Sequence, residues 1–406
     1  MGTEAKEAAG DRFERLRAQL GEIQTALREL ELDGWLLYDL RGRNPVAARV
    51  VGHGAMTRRY FVLVPAEGEP QAVVHGIEEG PWVGWPWGRV RYVGWRELEE
   101  ELRTVLRGAR RVAMEVTPGD AVPILDLVPA GVVELVRSVG VEVVSSADLV
   151  TRFYSRWTEA GLASHRRAAT ALAEVARAAF SYLASAVEAG TEITEGDLRR
   201  WVVERLAARG CGVGADAIVA IGPNAADPHY DPGERGSVIR RGDLVLLDLW
   251  AKEAEDAIYA DQTWMGYLGS RVPERVAELW EVVREARDTA VELLGERWRR
   301  GEPVYGYEVD DAVRAVIAGR GYGAAFIHRT GHSIDQATHG MGPNLDNLET
   351  RELRRLIPGI GFSVEPGIYL PGEVGLRTEI NVYMGESGPE VTTPAPQVEI
   401  FALLSG

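Results

Sequence analysis

Cysteine is nearly absent. Cys211 is the only one in 406 residues, which excludes an intrachain disulfide and a metal site built from thiolates. Long apolar runs are missing as well. No stretch approaches about 18 consecutive apolar residues, so a membrane partner is not expected. Positive charge is in short supply: 45 Lys+Arg stand against 61 Asp+Glu, for a net charge of -16 and a pI near 5.1. A chain this acidic is not expected to grip nucleic acid through its phosphates. The opening MGTEAKEAAGDRFERLRAQL reads as a frayed, charged end leading into a helix. It lacks the apolar core of a signal peptide, and a cytoplasmic protein is expected. Several catalytic signatures are absent. There is no P-loop, no His-Glu-x-x-His and no Gly-x-Ser-x-Gly, and Gly331-His-Ser-Ile-Asp335 lacks the closing glycine of a nucleophile elbow. Gly210-Cys-Gly-Val-Gly214 follows a helical stretch rather than a strand, with the wrong glycine spacing for a nucleotide loop.

What is present describes a globular chain. It is 46% hydrophobic and 26% charged, enough for two domains with real cores. Up to about residue 150 the pattern alternates. Phe13, Leu16, Leu20, Ile23, Leu27 and Leu30 recur at helical spacing over 12–31. Residues 35–38, 60–64 and 71–74 read as short apolar strands, the last two joined by a Gly/Glu/Pro turn. A helix over 96–107, a strand over 111–116 and a strand at 141–144 complete an α/β domain. Near Ser155 the regime changes. Thr158-Glu159 starts an Ala-rich helix running to about Ala189, and Thr194-Glu-Gly-Asp197 caps a second, ending at Gly210. Beyond Asp216 strands mix with helices at about 273–300 and 307–319. The tryptophans Trp82, Trp85, Trp87 and Trp95 read either as local packing with one or two exposed rings, or as a lid or dimer contact near a pocket.

Chemistry concentrates in the second half. Four of only seven histidines fall in two short segments: His229 in Asp-Pro-His-Tyr-Asp-Pro, and His328, His332 and His339 within twelve residues. Carboxylates stand nearby in apolar strands, where ionised groups are costly. Asp248 lies in Val-Leu-Leu-Asp-Leu-Trp and Asp261 in Ile-Tyr-Ala-Asp-Gln-Thr-Trp-Met. A turn within Lys252–Asp256, folding about Ala254-Glu255, makes the two aspartates cross-strand neighbours on one face. Ionised, at about 5 Å, they repel unless a cation intervenes. Glu365 and Glu379 repeat the pattern in Phe-Ser-Val-Glu-Pro-Gly-Ile-Tyr and Gly-Leu-Arg-Thr-Glu-Ile. Four carboxylates nearly balance two divalent cations, and a hard oxygen set with an imidazole favours Mn, Co or Fe over a thiolate-type zinc site.

The order Asp248, Asp261, His332, Glu365, Glu379, with the strings HRTGH, SVEPGIY and LRTE, resembles the pita-bread metallopeptidases. Within them it is most similar to the Xaa-Pro aminopeptidase and prolidase branch, over essentially the whole chain. That resemblance implies a creatinase-like α/β N-terminal domain over 1–155 and an α+β pita-bread catalytic domain over 156–406. It implies that Asp248, Asp261, His332, Glu365 and Glu379 hold two divalent metal ions per chain, Mn2+ foremost, with Co2+, Fe2+ or Zn2+ as alternatives. Glu365 would also shuttle the proton. His229, His328 and His339 would line the site, with His229 and His339 touching the substrate and the intermediate. The implied reaction removes the N-terminal residue from peptides with proline second, through a metal-bridging hydroxide. A homodimer is the implied assembly. Alternatives on the same scaffold are a non-peptide C–N hydrolase or lyase and a catalytically inactive interaction module.

The chain departs from the family pattern around the pocket. Trp250 stands in place of a glycine, Ser333 and Asp335 in place of glycines, Gly340 in place of an acidic residue and Trp264 in place of an arginine. Twelve residues, not ten, separate the aspartates. A dipeptide substrate needs a cation for its free carboxylate. Arg351 sits where prolidases carry such an arginine, though Arg354 and Arg355 at helical spacing also fit a solvated helix. Arg377, two residues before Glu379, shares its face of a strand and fits a support for the metal carboxylates better than a substrate contact.

Overall fold

The structure, a computed structural model, describes residues 12–54 and 56–405. The charged end expected at residues 1–11 therefore lies outside the described residues. The chain divides into two compact units, Met1–Tyr154 and Ser155–Gly406.

The first unit is built on one six-stranded sheet. In chain order its strands are β1 (Gly34–Asp39), β2 (Tyr60–Pro65), β3 (Gln71–His75), β4 (Gly88–Tyr92), β5 (Arg111–Met114) and β6 (Glu142–Ser145), arranged β4-β3-β2-β1-β5-β6. The helical spacing noted above appears as α1 (Glu14–Glu29), which buries Leu16, Ile23 and Leu27. Sequence periodicity misses α2 (Pro45–Val51), while the helix expected at 96–107 is α3 (Trp95–Val105). It also misses β4, an edge strand whose Arg89 and Arg91 point to solvent and mask its alternation. The tryptophans are mostly local packing. Trp82 is buried against Phe13, His53 and Tyr60, Trp85 meets it edge-on at 5.3 Å, and Trp87 meets Trp85 at 4.9 Å. Trp95 stands apart and exposed, with the Arg96 guanidinium over its ring.

Two further short helices, α4 (Ala130–Ser138) and α5 (Ala147–Phe153), precede the second unit. There the Ala-rich stretch is α6 (Glu159–Glu188), capped by Thr158, whose hydroxyl accepts from Gly161 N. α7 (Glu195–Ala208) carries the expected capping box between Thr194 and Asp197. One four-stranded sheet follows the order β18-β11-β10-β8, formed by β8 (Val213–Ile221), β10 (Leu244–Lys252), β11 (Ala260–Tyr267) and β18 (Phe401–Ala402). A second has the order β12-β13-β16-β17, from β12 (Ser333–Ile334), β13 (Gly361–Val364), β16 (Ile380–Gly385) and β17 (Gly388–Val391), and two strand pairs join β7 (Ile193–Thr194) to β9 (Val238–Ile239) and β14 (Gly367–Leu370) to β15 (Val374–Arg377). Alternation splits the first sheet between two cores. Val245, Leu247, Leu249 and Trp264 pack with the alanine face of α6, whose Ala168, Ala169, Ala173 and Ala176 allow close approach. Leu244, Leu246 and Met265 face the other way. They join residues of the second sheet and of helices α8 (Glu274–Arg300) and α9 (Gly306–Gly319). Each such side chain, fully buried, contributes about 1.5–3 kcal/mol.

Asp248 and Asp261 lie on that second face. The β10–β11 register pairs Asp248 with Thr263 and Trp250 with Asp261, so the aspartates are diagonal neighbours, not direct partners. The expected turn about Ala254-Glu255 is therefore displaced by one residue. Lys252 stays in the strand, and its Nζ donates to the carbonyls of Glu255 and Gln336, drawing the connecting loop across. Because the displacement changes the pairing by two positions, both aspartates keep the same face.

Candidate active site

The second unit holds a cavity of about 620 Å³. Asp248 and Asp261 reach it from strand interiors. His332, Glu365 and Glu379 reach it from strand ends: His332 just precedes β12, Glu365 follows β13 and Glu379 precedes β16. The two glutamates were expected inside strands. The pairing of Val364 with Ile380 instead places them opposite each other just where the ladder stops, with both side chains free to turn into the cavity.

The donor atoms converge. Asp261, His332 and Glu379 each offer an atom within 4.8 Å of the others. The His332 ring is oriented by Ser333 O, 3.2 Å from Nδ1. A carbonyl only accepts, so Nδ1 carries the proton and Nε2 presents a lone pair. That lone pair faces Glu365 Oε1 at 3.4 Å and Asp261 Oδ2 at 3.6 Å. Burial drives the His332 pKa down to about 3, so the ring is neutral and cannot itself pair with the carboxylates. Burial first, and then mutual repulsion with Asp248 and Glu365, hold Asp261 well above the ordinary carboxylate range; Glu379 is raised likewise by burial and then by Asp261, Glu365 and Asp248. Asp248 is raised by burial despite Arg377. Glu365 lies below the ordinary range: burial raises it, and the positive charges of Arg377 and Arg329 are among the groups that bring it down.

The protein satisfies only part of this set. Arg377 pairs with Asp248 Oδ2 and donates from Nε to Thr263 Oγ1 at 2.9 Å, and Thr263 donates on to Glu379 Oε2 at 2.8 Å. Among the described residues, Asp248 Oδ1 is buried without a partner. A bare carboxylate oxygen and an imidazole lone pair turned toward carboxylate oxygens fit a hard divalent cation, whose ligands are deprotonated carboxylates and neutral histidine. The carbonyl-bound second nitrogen of His332 is the usual orientation of a metal-bound histidine.

Around this floor the remaining expected residues sort differently. His339 is exposed at the rim, its ring edge-on to His332 with centroids 4.4 Å apart. His229 is exposed on the loop after β8, and Trp250 is half-buried in the wall. His328 lines the cavity with both nitrogens engaged. Nδ1 lies 2.7 Å from Arg329 O and Nε2 2.7 Å from Tyr369 OH, leaving neither for a substrate. The Arg377 guanidinium is likewise spent on the carboxylate network. Arg351 is exposed and outside the cavity lining. Nor is it helical: Asp346 accepts from the N–H groups of Leu348, Glu349 and Thr350, winding an irregular turn that brings Glu349 to the cavity instead.

Sequence reading missed Arg329, Glu349, Asp227 and Ile327 in the lining. It also missed Glu195 as an anchor. Glu195 is fully buried and accepts from Ile221 N, Asn224 Nδ2, Tyr230 OH and Ser237 N, pinning both ends of the loop that carries His229. An acid at the first helical position looks like ordinary dipole compensation, which hid this role. The departures from the family pattern also resolve. Trp264 belongs to the opposite face of the sheet, in the core under α6. Ser333 and Asp335 are buried and outside the lining. A Cβ at Gly340 would stand 2.8 Å from Asp335 Cγ and 3.0 Å from Ser333 Oγ. The three positions thus exchange volume among themselves. Only Trp250 changes the cavity wall.

Comparison with known proteins agrees with this geometry. The model of metallopeptidase family M24 matches residues 163–386. A protein named probable dipeptidase PepE from Mycobacterium tuberculosis is 30% identical over 304 residues, 75% of this chain and 74% of that one. An Xaa-Pro dipeptidase from Lactobacillus delbrueckii is 33% identical over 164 residues, 40% of each chain. The crystal structure of dipeptidase PepE from Mycobacterium ulcerans superimposes with a TM-score of 0.72 at 23% identity, covering 96% of this chain and 98% of that one. The fold is therefore that of the pita-bread peptidases, preceded by an α/β unit, and the chain is an enzyme, a metallo-exopeptidase. It belongs to metallopeptidase family M24. Among the described residues, no helix is long and apolar enough to cross a membrane.

Proposed function

We propose that this enzyme hydrolyses the bond after the N-terminal residue of Xaa-Pro peptides, with two divalent cations per chain, Mn2+ foremost. The observation that carries this reading is the convergence of Asp248, Asp261, Glu365, Glu379 and a neutral His332 on one buried cavity. Bound there, the cations supply positive charge that polarises the scissile carbonyl and acidifies a water. The chain's own residues do the rest. Glu365 keeps an ionised carboxylate beside the reacting centre, oriented by Ser363 Oγ at 3.1 Å. It takes the proton of the attacking water and delivers it to the leaving nitrogen. His339, at the rim, donates to the substrate carbonyl as charge develops there. His229, on its anchored loop, closes the other side. Trp250 narrows the wall next to Asp261 and offers an apolar face to the first two residues.

The Xaa-Pro specificity is supported by the relative named Xaa-Pro dipeptidase and by the apolar surfaces of Trp250, Ile218 and Ile327 in the wall. The test combines metal analysis of reconstituted protein with a panel of Xaa-Pro and Xaa-Ala peptides. Two Mn2+ per chain with preferential release of Xaa from Xaa-Pro is expected. A stoichiometry near zero with no activity gained, or indifference to proline, would sink the proposal.

A further inference from the structure

Lysine is rare in this chain. Of its 45 basic residues only Lys6 and Lys252 are lysines, and Lys252 is buried, 5% exposed. It is the last residue of β10, two beyond Trp250. Its Nζ donates to Glu255 O at 2.7 Å and to Gln336 O at 2.8 Å, and stands 4.8 Å from the centre of the Tyr259 ring. Two carbonyls and a ring face, with no carboxylate among them, are a costly home for a charge. A compact ammonium with three donors fits that home where a planar guanidinium would not. Two more bonds run alongside. Tyr259 N donates to Asp335 O at 3.0 Å, and Gln336 Nε2 to Asp256 O at 3.0 Å. With the bond from Lys252 to Gln336, these tie the hairpin end 252–259 to the loop 335–341 that follows β12.

That loop carries His339. Within it Asp335 accepts from Ala337 N at 2.7 Å and Met341 N at 3.2 Å, and Gly340 N donates to Ser333 O at 2.7 Å, so the loop is braced internally and is placed as one piece. His339 itself is exposed, with its ring edge-on to His332. An exposed loop tip is mobile unless it is tied down. A group that meets developing charge must be held closely, since a 1 Å misplacement costs about 10²-fold in rate. We propose that Lys252 is the positioning residue for His339: by fastening the hairpin end to the loop 335–341, it holds the imidazole at the rim where carbonyl charge develops. The inference rests on the role given to His339 in the proposed function. It also gives a purpose to the longer separation of the two aspartates, because the two extra residues let the hairpin end reach Gln336.

The experiment follows Ala-Pro cleavage by the Mn2+-loaded wild type, Lys252→Met, Gln336→Ala, His339→Ala, and each of the first two variants combined with His339→Ala. Methionine keeps the apolar stem and removes all three donors. His339→Ala should lower kcat by about 10²–10³-fold, as loss of a donor to developing charge does. Lys252→Met should lower kcat by roughly 10- to 100-fold, with KM within about threefold and metal content unchanged. It should slow the His339→Ala enzyme by no more than about twofold, because both changes remove one function. Gln336→Ala, at a half-buried position, cuts one neutral tie and should lower kcat by about 2- to 10-fold. On metal-free protein, amide hydrogen exchange read by mass spectrometry should rise over 335–341 in Lys252→Met and Gln336→Ala, and not over 361–385. The inference is overturned if Lys252→Met at full metal occupancy keeps the wild-type kcat, if it slows the His339→Ala enzyme as much as the wild type, or if exchange over 335–341 does not change. Should Lys252→Met fail to fold, the same readings on Gln336→Ala decide. An unaltered kcat in His339→Ala overturns the role of His339 and the inference with it. A wild-type enzyme that loads metal and leaves Ala-Pro uncut overturns the Xaa-Pro reading, while the exchange measurement needs no substrate and still decides whether Lys252 holds the loop.

Discussion

Two buried carboxylates, Glu115 just past a strand end in the first unit and Asp248 inside a strand of the second, are used in opposite ways. Glu115 is 0% exposed and surrounded by donors: Trp35 Nε1 at 2.7 Å, Asn44 Nδ2 at 2.6 Å and Ser146 Oγ at 3.0 Å. Burial pushes its pKa up and these bonds push it back. It is a cross-link between strand, helix and loop, complete within the protein. Asp248 has one arginine, one bare oxygen and two further acids close enough to raise one another. A chain that can satisfy a buried carboxylate with three donors in one unit and leaves another half-satisfied in the next has left room for something from outside. That is the physical difference between a structural acid and a ligand.

The sharpest way to test the contrast is at Glu365. Glu365→Gln preserves shape and removes the proton carrier and one ligand charge. We expect kcat to fall by about 10²–10⁴-fold, read by steady-state kinetics with metal analysis alongside. Unaltered kcat would make Glu365 an ordinary residue at a strand end. Glu115→Leu probes the other side of the comparison. It strands three buried donors at roughly 1–3 kcal/mol each, so denaturant unfolding should show a loss of about 3 kcal/mol or more, with metal content and kcat per folded molecule unchanged. The metal increment separates the two acids further. At a hundredfold excess over Kd, cations should stabilise wild type and Glu115→Leu alike by about 2.7 kcal/mol, but not Asp248→Asn, which a melt with and without Mn2+ will show.

The smallest effect is a pH slope. His165 is fully buried, with Nδ1 2.6 Å from Tyr259 O and Nε2 2.7 Å from Thr392 Oγ1, and burial lowers its pKa to about 4. Its folded value lies below the unfolded one, so the unfolded chain binds the proton first. The stability His165 contributes is complete above about pH 6.5 and is lost progressively as pH falls toward 4. The raised carboxylates of the metal-free site act in the opposite direction, but equally in a His165→Gln variant. The difference in slope between the two proteins isolates His165. Parallel curves from pH 7 to 4.5 would discard this assignment.

Much of the architecture was legible before any coordinates. Helix periodicity and capping located α1, α3, α6, α7, α8 and α9 to within a few residues, because an amphipathic stripe and an N-cap are local properties. The short α2 and the arginine-laced β4 were not legible, since neither carries a full period of apolar residues. At the site, the pattern of acids in apolar strands drew attention to Asp248, Asp261, Glu365 and Glu379, because an ionisable group in such a context is costly without a purpose. The lone acid at Glu195 gave no such signal, since its four partners come from residues 221–237, remote in sequence.

By itself, then, the sequence determined which residue types could do chemistry here and the alternation that puts Asp248 and Asp261 on one face, since both follow from composition and a two-residue period. Only the tertiary structure decided the diagonal register of the hairpin, the engagement of His328 and Arg377 and the mutual accommodation of Ser333, Asp335 and Gly340. It also decided that Arg329 rather than Arg351 reaches the cavity. Each of these depends on which distant backbone carbonyl, carboxylate or void a side chain meets. Such meetings are set by packing between elements far apart in sequence, and no local pattern encodes them.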